Sequence, residues 1–293
     1  MAAMLIEQMR SRLIGEIRNL YPLFRYLILQ TETHAFCLAL AAAALLGFFP
    51  ACAVMLTVLK DVLHWPAAYA VMIDTIRIYF PTSQIFVIRN LEVVVSGFGQ
   101  SRFLSLLWVL VGAAGVFIPL ETGFNRLWQV KEDRPYWLNQ IVGFTLTVAC
   151  AALSLVFVAI STSLHLAIAY LPFDIVQRAA RFLVIRGTIT ALFITTIFAL
   201  YKFLPNRTIA ARQVFPAAIV AGIMAELVRI VFSLVIPFVD LASTQGPFSV
   251  SVTFLMLVYF ETFVVLGGAF IATRTDRYSW MGFFTPNSPK SPD

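Results

Sequence analysis

Long stretches of the chain hold no charged residue: Ala35 to Leu59, Gly187 to Tyr201, Leu241 to Phe260 and Val264 to Thr273. The hydrocarbon of a bilayer is crossed by about 20 mostly apolar residues in helical form, each rising about 1.5 Å. Only helices and closed barrels satisfy every backbone N–H and C=O there, and runs this long select the helix. The pattern predicts an all-α, polytopic transmembrane helical bundle over 35–273. Its six spans are expected at 35–59, 103–120, 140–170, 182–202, 213–238 and 248–273.

The segments around these spans differ in character. Leu5, Met9, Leu13, Ile17, Leu20 and Phe24 recur every three or four positions, and Arg10, Arg12, Arg18 and Arg25 lie among them. That periodicity predicts an N-terminal amphipathic helix within residues 1–34, either on the membrane surface or packed on the bundle. Residues 60–102 form the longest connection, and Ile85, Ile88, Val93 and Val95 beside Arg89 and Glu92 predict a short interfacial or re-entrant helix. The tail, 274–293, holds Pro286, Pro289 and Pro292 and is expected to be disordered. No cleavable leader is expected, since the first apolar run starts near residue 35 and is too long for one.

Composition agrees with a membrane solvent. Of 293 residues 60% are hydrophobic and 12% charged, against about 25% charged in a soluble domain. The net charge of +6 would suggest nucleic acid in a soluble protein; here it is read as loop charge that orients the chain. With six spans both termini share a side. The N-terminal segment, loop 121–139, Lys202 with Arg207 and Arg212, and the tail then hold most of the basic residues. Lys60, Arg77, Arg89, Arg102, Arg178, Arg181 and Arg186 fall on the other side. The bias predicts cytoplasmic termini in a bacterial inner (plasma) membrane. Cys37, Cys52 and Cys150 all fall in spans, without ligand or pairing spacing, and are read as small buried side chains.

Three stretches carry a family resemblance. The first runs from Glu121 through Asn125-Arg126-Leu-Trp128 and Lys131 to Arg134-Pro135-Tyr-Trp137. The second is Leu200-Tyr201-Lys-Phe-Leu204-Pro205-Asn206-Arg207, and the third is the last span, with Gly246 before it, Tyr259 within it and Gly268-Ala269 near its end. With Phe48-Phe49-Pro50 in the first span, this order resembles the YihY/BrkB family of inner-membrane proteins, once labelled ribonuclease BN. The resemblance spans nearly the whole chain. It departs at Phe270, where the family usually has Glu, at Leu257 in place of Trp, and at Ala41 to Ala44. It implies six spans and an inner-membrane address, and no established molecular activity.

Charges inside hydrocarbon are costly and are functional candidates by default. Glu226 and Arg229, three apart, share a helix face, and Gly222 continues it toward Ala218. Glu261 is a lone carboxylate in the last span, beside Tyr259, with Arg229 as its candidate partner. Glu226, Arg229, Glu261, Tyr259 and Gly222 form the candidate substrate site, to be weighed against a structural ion pair. Glu121, Asn125, Arg126, Asn206 and Arg207 form a second candidate, a polar cluster at the cytoplasmic mouth, to be weighed against capping and anchoring. Thr147, Ser154, Ser161 and His165 make a polar stripe on the third span, read as glue between helices.

No catalytic residue, metal site or cofactor is expected. His34, His64 and His165 are far apart, no Cys/His cluster has metal-ligand spacing, and no nucleotide-binding loop is present. Ribonuclease activity and nucleic-acid partners are therefore not expected. The favoured function is transport or handling of a lipid-like or amphiphilic substrate, with membrane lipids as partners. A structural or assembly role in a cell-envelope complex is the alternative.

Overall fold

The computed structural model describes residues 21–79, 84–98, 102–132, 134–168, 174–239 and 248–274, with Ser243 and Gln245 alone between the last two stretches. Eight helices are named here: α1 (Thr31–Thr57), α2 (Pro66–Tyr79), α3 (Gln84–Phe98), α4 (Arg102–Leu127), α5 (Tyr136–Ile168), α6 (Asp174–Phe203), α7 (Ala211–Val235) and α8 (Ser249–Arg274). A π-helical turn, Val58–Val62, extends α1, and a 3-10 turn, Ile236–Phe238, extends α7. The chain is an all-α, polytopic membrane protein, with no strand among the described residues.

Five helical stretches are long and apolar enough to cross a membrane: Thr31–Val62, Tyr136–Ile168, Phe182–Phe203, Ala211–Val235 and Ser249–Arg274. At most 39% of their most apolar windows is buried inside the protein. Leu46, Leu183 and Leu234 face outward, each more than three-fifths exposed. A bundle that turns this much apolar surface outward needs hydrocarbon around it. The stretch expected at 103–120 lies within α4, which continues two turns beyond it to Leu127.

The helices α1, α4, α5, α6, α7 and α8 pack in a closed ring, each against the next, with α8 returning to α1 and also touching α4. Two apolar cores hold the ring. One joins Cys37, Leu120, Phe124, Trp128, Tyr201, Leu204, Ala217, Ala221 and Leu266 near the end where α1 and α7 begin and α4, α6 and α8 finish. The other lies toward the opposite end, where Ile73 and Ile76 of α2 and Val87 and Leu91 of α3 meet Cys52 and Leu56 of α1 and Val250 and Phe254 of α8. The single short helix expected in 60–102 is therefore two helices, folded over one end of the ring. Their apolar residues are divided between this core and the outer surface, where Ile85 is 80% exposed.

Close helix approach rests on glycines. A side chain at Gly222 of α7 would collide with Ile194 of α6. One at Gly268 of α8 would collide with the Tyr201 hydroxyl, and would stand 2.8 Å from Ala221 of α7. Of the polar stripe on α5, Thr147 and Ser154 donate to the carbonyls of Gly143 and Cys150 on their own helix. Those hydroxyls are satisfied locally, rather than by a neighbouring helix. The amphipathic segment expected within 1–34 falls largely outside the described residues, of which 21–29 is helical; the tail beyond Arg274 lies outside them entirely.

Candidate functional site

Four charged residues inside the ring form one alternating chain across three helices. Arg186 of α6 donates to Glu226 Oε1 of α7 at 2.6 Å. Glu226 Oε2 accepts from Arg229, one turn on, at 2.9 Å, and Arg229 Nε donates to Glu261 of α8 at 2.6 Å. The Arg229 guanidinium also lies over the Phe193 ring, 4.3 Å from its centre. Two cations and two anions alternate, so the chain is neutral as a whole. This is how a low-dielectric interior tolerates ions whose isolated burial costs several kcal/mol.

The structure thus joins Glu226, Arg229 and Glu261, and adds Arg186. The charge distribution groups Arg186 with the cations opposite the termini; it lies three turns inside α6. No local pattern marked it, because its partner is 40 positions away. Two expected members of the site stand elsewhere. Tyr259 precedes Glu261 by two residues, about 200° around a helix, and its hydroxyl meets His34 Nδ1 of α1 at 2.7 Å. Gly222 is taken up by the contact with Ile194.

The mouth cluster divides into a buried knot and an open cavity. Glu121 and Asn125 are not beyond the span but in the last two turns of α4, and both are buried. The Asn125 side-chain oxygen accepts the backbone N–H of Asn206 at 2.9 Å. Arg134 reaches into the same place. It donates to Asn206 Oδ1 at 3.2 Å, to the Leu204 carbonyl at 3.1 Å and to the Pro205 carbonyl at 3.2 Å. Its guanidinium lies 3.6 Å from Glu121. Carbonyls just past the end of α6 are thereby satisfied by a cation, a favourable placement beside the negative end of a helix dipole.

Arg126 and Arg207 do not enter that knot. Arg126 pairs with Glu32 of α1, and Arg207 donates to the Trp128 carbonyl at 3.3 Å. Both line a cavity of about 700 Å³, bounded by the start of α1, the end of α4, the 207–213 stretch and the end of α8. Arg274 is a further cation on its wall. Tyr26 and Phe270 form an aromatic wall, their rings stacked at 5.0 Å. The cavity also meets Gln129, whose φ of 53° ends α4 in the left-handed region. Val130 N–H bonds the Asn125 carbonyl and Gln129 N–H the Arg126 carbonyl, the Schellman closure in which glycine usually holds the left-handed position. A longer side chain there is held under strain, a feature that gathers at functional sites.

The three sequence stretches that carried the family resemblance therefore meet at one end of the ring. Asn125 and Arg134 of the first hold Asn206 of the second, and Tyr201 of the second donates to the Val265 carbonyl of the third at 2.6 Å. The family model described as virulence factor BrkB matches residues 29–281. The chain belongs to the BrkB family.

Relatives agree with a membrane address. A UPF0761 membrane protein of Ralstonia nicotianae is 27% identical over 176 residues, 57% of this chain and 38% of the relative. One from Neisseria meningitidis serogroup B is 31% identical over 166 residues, covering 56% and 39%. One from Acinetobacter baylyi is 26% identical over 196 residues, covering 65% and 46%. The matched part of this BrkB-family chain thus spans less than half the length of these relatives. No solved structure matches it.

Proposed function

We propose that this BrkB-family protein binds and transports, or hands on, a lipid-like amphiphile, without catalysing a covalent reaction. The observation that carries this reading is the cavity of about 700 Å³ at the end of an apolar ring, with arginines and stacked aromatics on one wall. Ligand sites commonly enclose about 300 to 1,000 Å³, and the mainly polar lining of this one suits a headgroup rather than an acyl chain. A polar head would sit among the arginines while an apolar chain leaves along the outer face of the helices.

We also propose an inner-membrane address with both termini cytoplasmic, and α4 as a sixth crossing beside the five apolar stretches. The distribution of basic residues supports it, more so once Arg186 is assigned to the interior of α6 rather than to the opposite loop. In that orientation the cavity opens toward the cytoplasm.

A second reading, a structural partner of a cell-envelope complex, is favoured by the charge chain. Arg186, Glu226, Arg229 and Glu261 satisfy one another across α6, α7 and α8 as a clamp would. Native mass spectrometry of protein released gently from its membrane separates the two. The amphiphile reading expects one discrete species retained by the wild type. The same measurement on Glu226→Gln/Arg229→Ala asks whether the charge chain holds it. Only bulk lipids on the wild type would favour the structural role.

A further inference from the structure

We propose that the cavity is a site for a phosphate-type oxyanion, held by Arg207 and Arg274 with the Arg126–Glu32 pair on its rim. This rests on the reading that the cavity accepts an amphiphile, and specifies which head it takes.

The charge of the wall is unbalanced. Arg126, Arg207 and Arg274 line the cavity, and Glu32 is the lone carboxylate among its described lining residues. Glu32 pairs with Arg126, both on the exposed rim. Arg207 and Arg274 form no ion pair among the described residues. Arg207 donates to a main-chain carbonyl, and Arg274 lies over the Phe270 ring, 4.4 Å from its centre. Neither contact neutralises a guanidinium, whose planar fork suits a phosphate better than it suits either partner.

Two helix N-termini and the C-terminal ends of α4 and α8 all line the cavity, so the helix dipoles offset one another and the field comes from the side chains. The first turns of α1, through Glu32 and Thr33, and of α7, through Gln213, line the cavity. Neither helix has a side-chain cap: the residues before them, Gln30 and Ala210, make no capping hydrogen bond. Three arginines against one carboxylate around one cavity ask for an anion. A phosphate supplies several acceptor oxygens at once, whether it belongs to a lipid headgroup or is free in solution.

The test uses the full chain in mild detergent. Dioleoylphosphatidylglycerol and dioleoylphosphatidylcholine, the latter with no net charge, are titrated separately and bound copies counted by native mass spectrometry. Inorganic phosphate is titrated in a thermal-shift assay. The expected result is preferential retention of one phosphatidylglycerol, weakened about tenfold for each arginine lost in Arg207→Gln/Arg274→Gln. Arg77→Gln, which removes an exposed cation at the opposite end, should leave retention unchanged. A phosphate-dependent rise in melting temperature, lost in the double variant, would assign the site to a soluble anion instead of a headgroup.

If the double variant fails to fold, Arg207→Lys/Arg274→Lys and the wild-type preference between the two lipids still decide the matter. Equal retention of both lipids, with no phosphate effect, would overturn the oxyanion site while leaving the amphiphile reading intact. Retention of neither lipid, with a phosphate effect, would do the reverse.

Discussion

The hydroxyl of Tyr201 fills the space that a side chain at Gly268 would need, and donates from there to the Val265 carbonyl at 2.6 Å. One buried phenol thus fixes how closely α6 approaches α8, and the Ala221 methyl of α7 closes the same gap from the side. Because the interior is close-packed, an added methyl has nowhere to go. Gly268→Ala should lower stability by about 1 to 3 kcal/mol, read as a drop in melting temperature in detergent. Tyr201→Phe should cost less, about 1 kcal/mol. An unchanged melting point for Gly268→Ala would mean that the helices do not meet at this residue.

Gly222 and Gly187 make a matched pair. Both are in helices, but a side chain at Gly222 collides with Ile194 whereas one at Gly187 meets nothing within 4 Å. Glycine inside a helix costs about 0.5 to 1 kcal/mol relative to alanine. Gly187→Ala should therefore raise the melting temperature and Gly222→Ala lower it. Shifts of the same sign at both would contradict the packing of α6 on α7.

The charge chain predicts a non-additive series. Arg229→Met leaves Glu261 without its cation and should cost about 3 kcal/mol or more. Adding Glu261→Gln removes the stranded charge and should recover part of that loss, while Glu226 keeps Arg186. Additive losses in a double-mutant cycle would show that Arg229 and Glu261 are not coupled.

Gln129 offers a test of strain. Its left-handed backbone is costly for a residue with a Cβ and free for glycine. Gln129→Gly should stabilise the chain by up to about 1 kcal/mol, since greater freedom of the unfolded glycine offsets part of the gain. Loss of stability there would place the value of Gln129 in its side chain rather than its backbone.

These residues also show what can be read from a chain of this kind. Spans were legible because a long charge-free run has few other uses, and the partnership of Arg229 with Glu261 followed from two ions stranded in hydrocarbon. The end of α4 was not legible. Glu121 and Asn125 resemble the start of a loop until Arg134, from the turn that follows them, and Asn206, from a separate segment, are seen to pair with them. Arg186 escaped for the same reason, its partner lying on another helix. Tyr259 was misplaced by proximity in sequence, which means little on a helix where two residues point to nearly opposite sides. The cavity was legible in part: Arg126 and Arg207 of the mouth cluster line it, whereas Arg274 comes from a third, separated segment.

That cavity is the centre of the account, and photo-crosslinking inside the membrane reaches it most directly. A benzophenone amino acid would replace Gln129 on the cavity wall, and separately Ile85 on the outer surface of α3, with adducts identified by mass. One discrete amphiphile is expected on position 129 and a spread of bulk phospholipids on position 85. The same spread at both positions, or no adduct at 129, would contradict it.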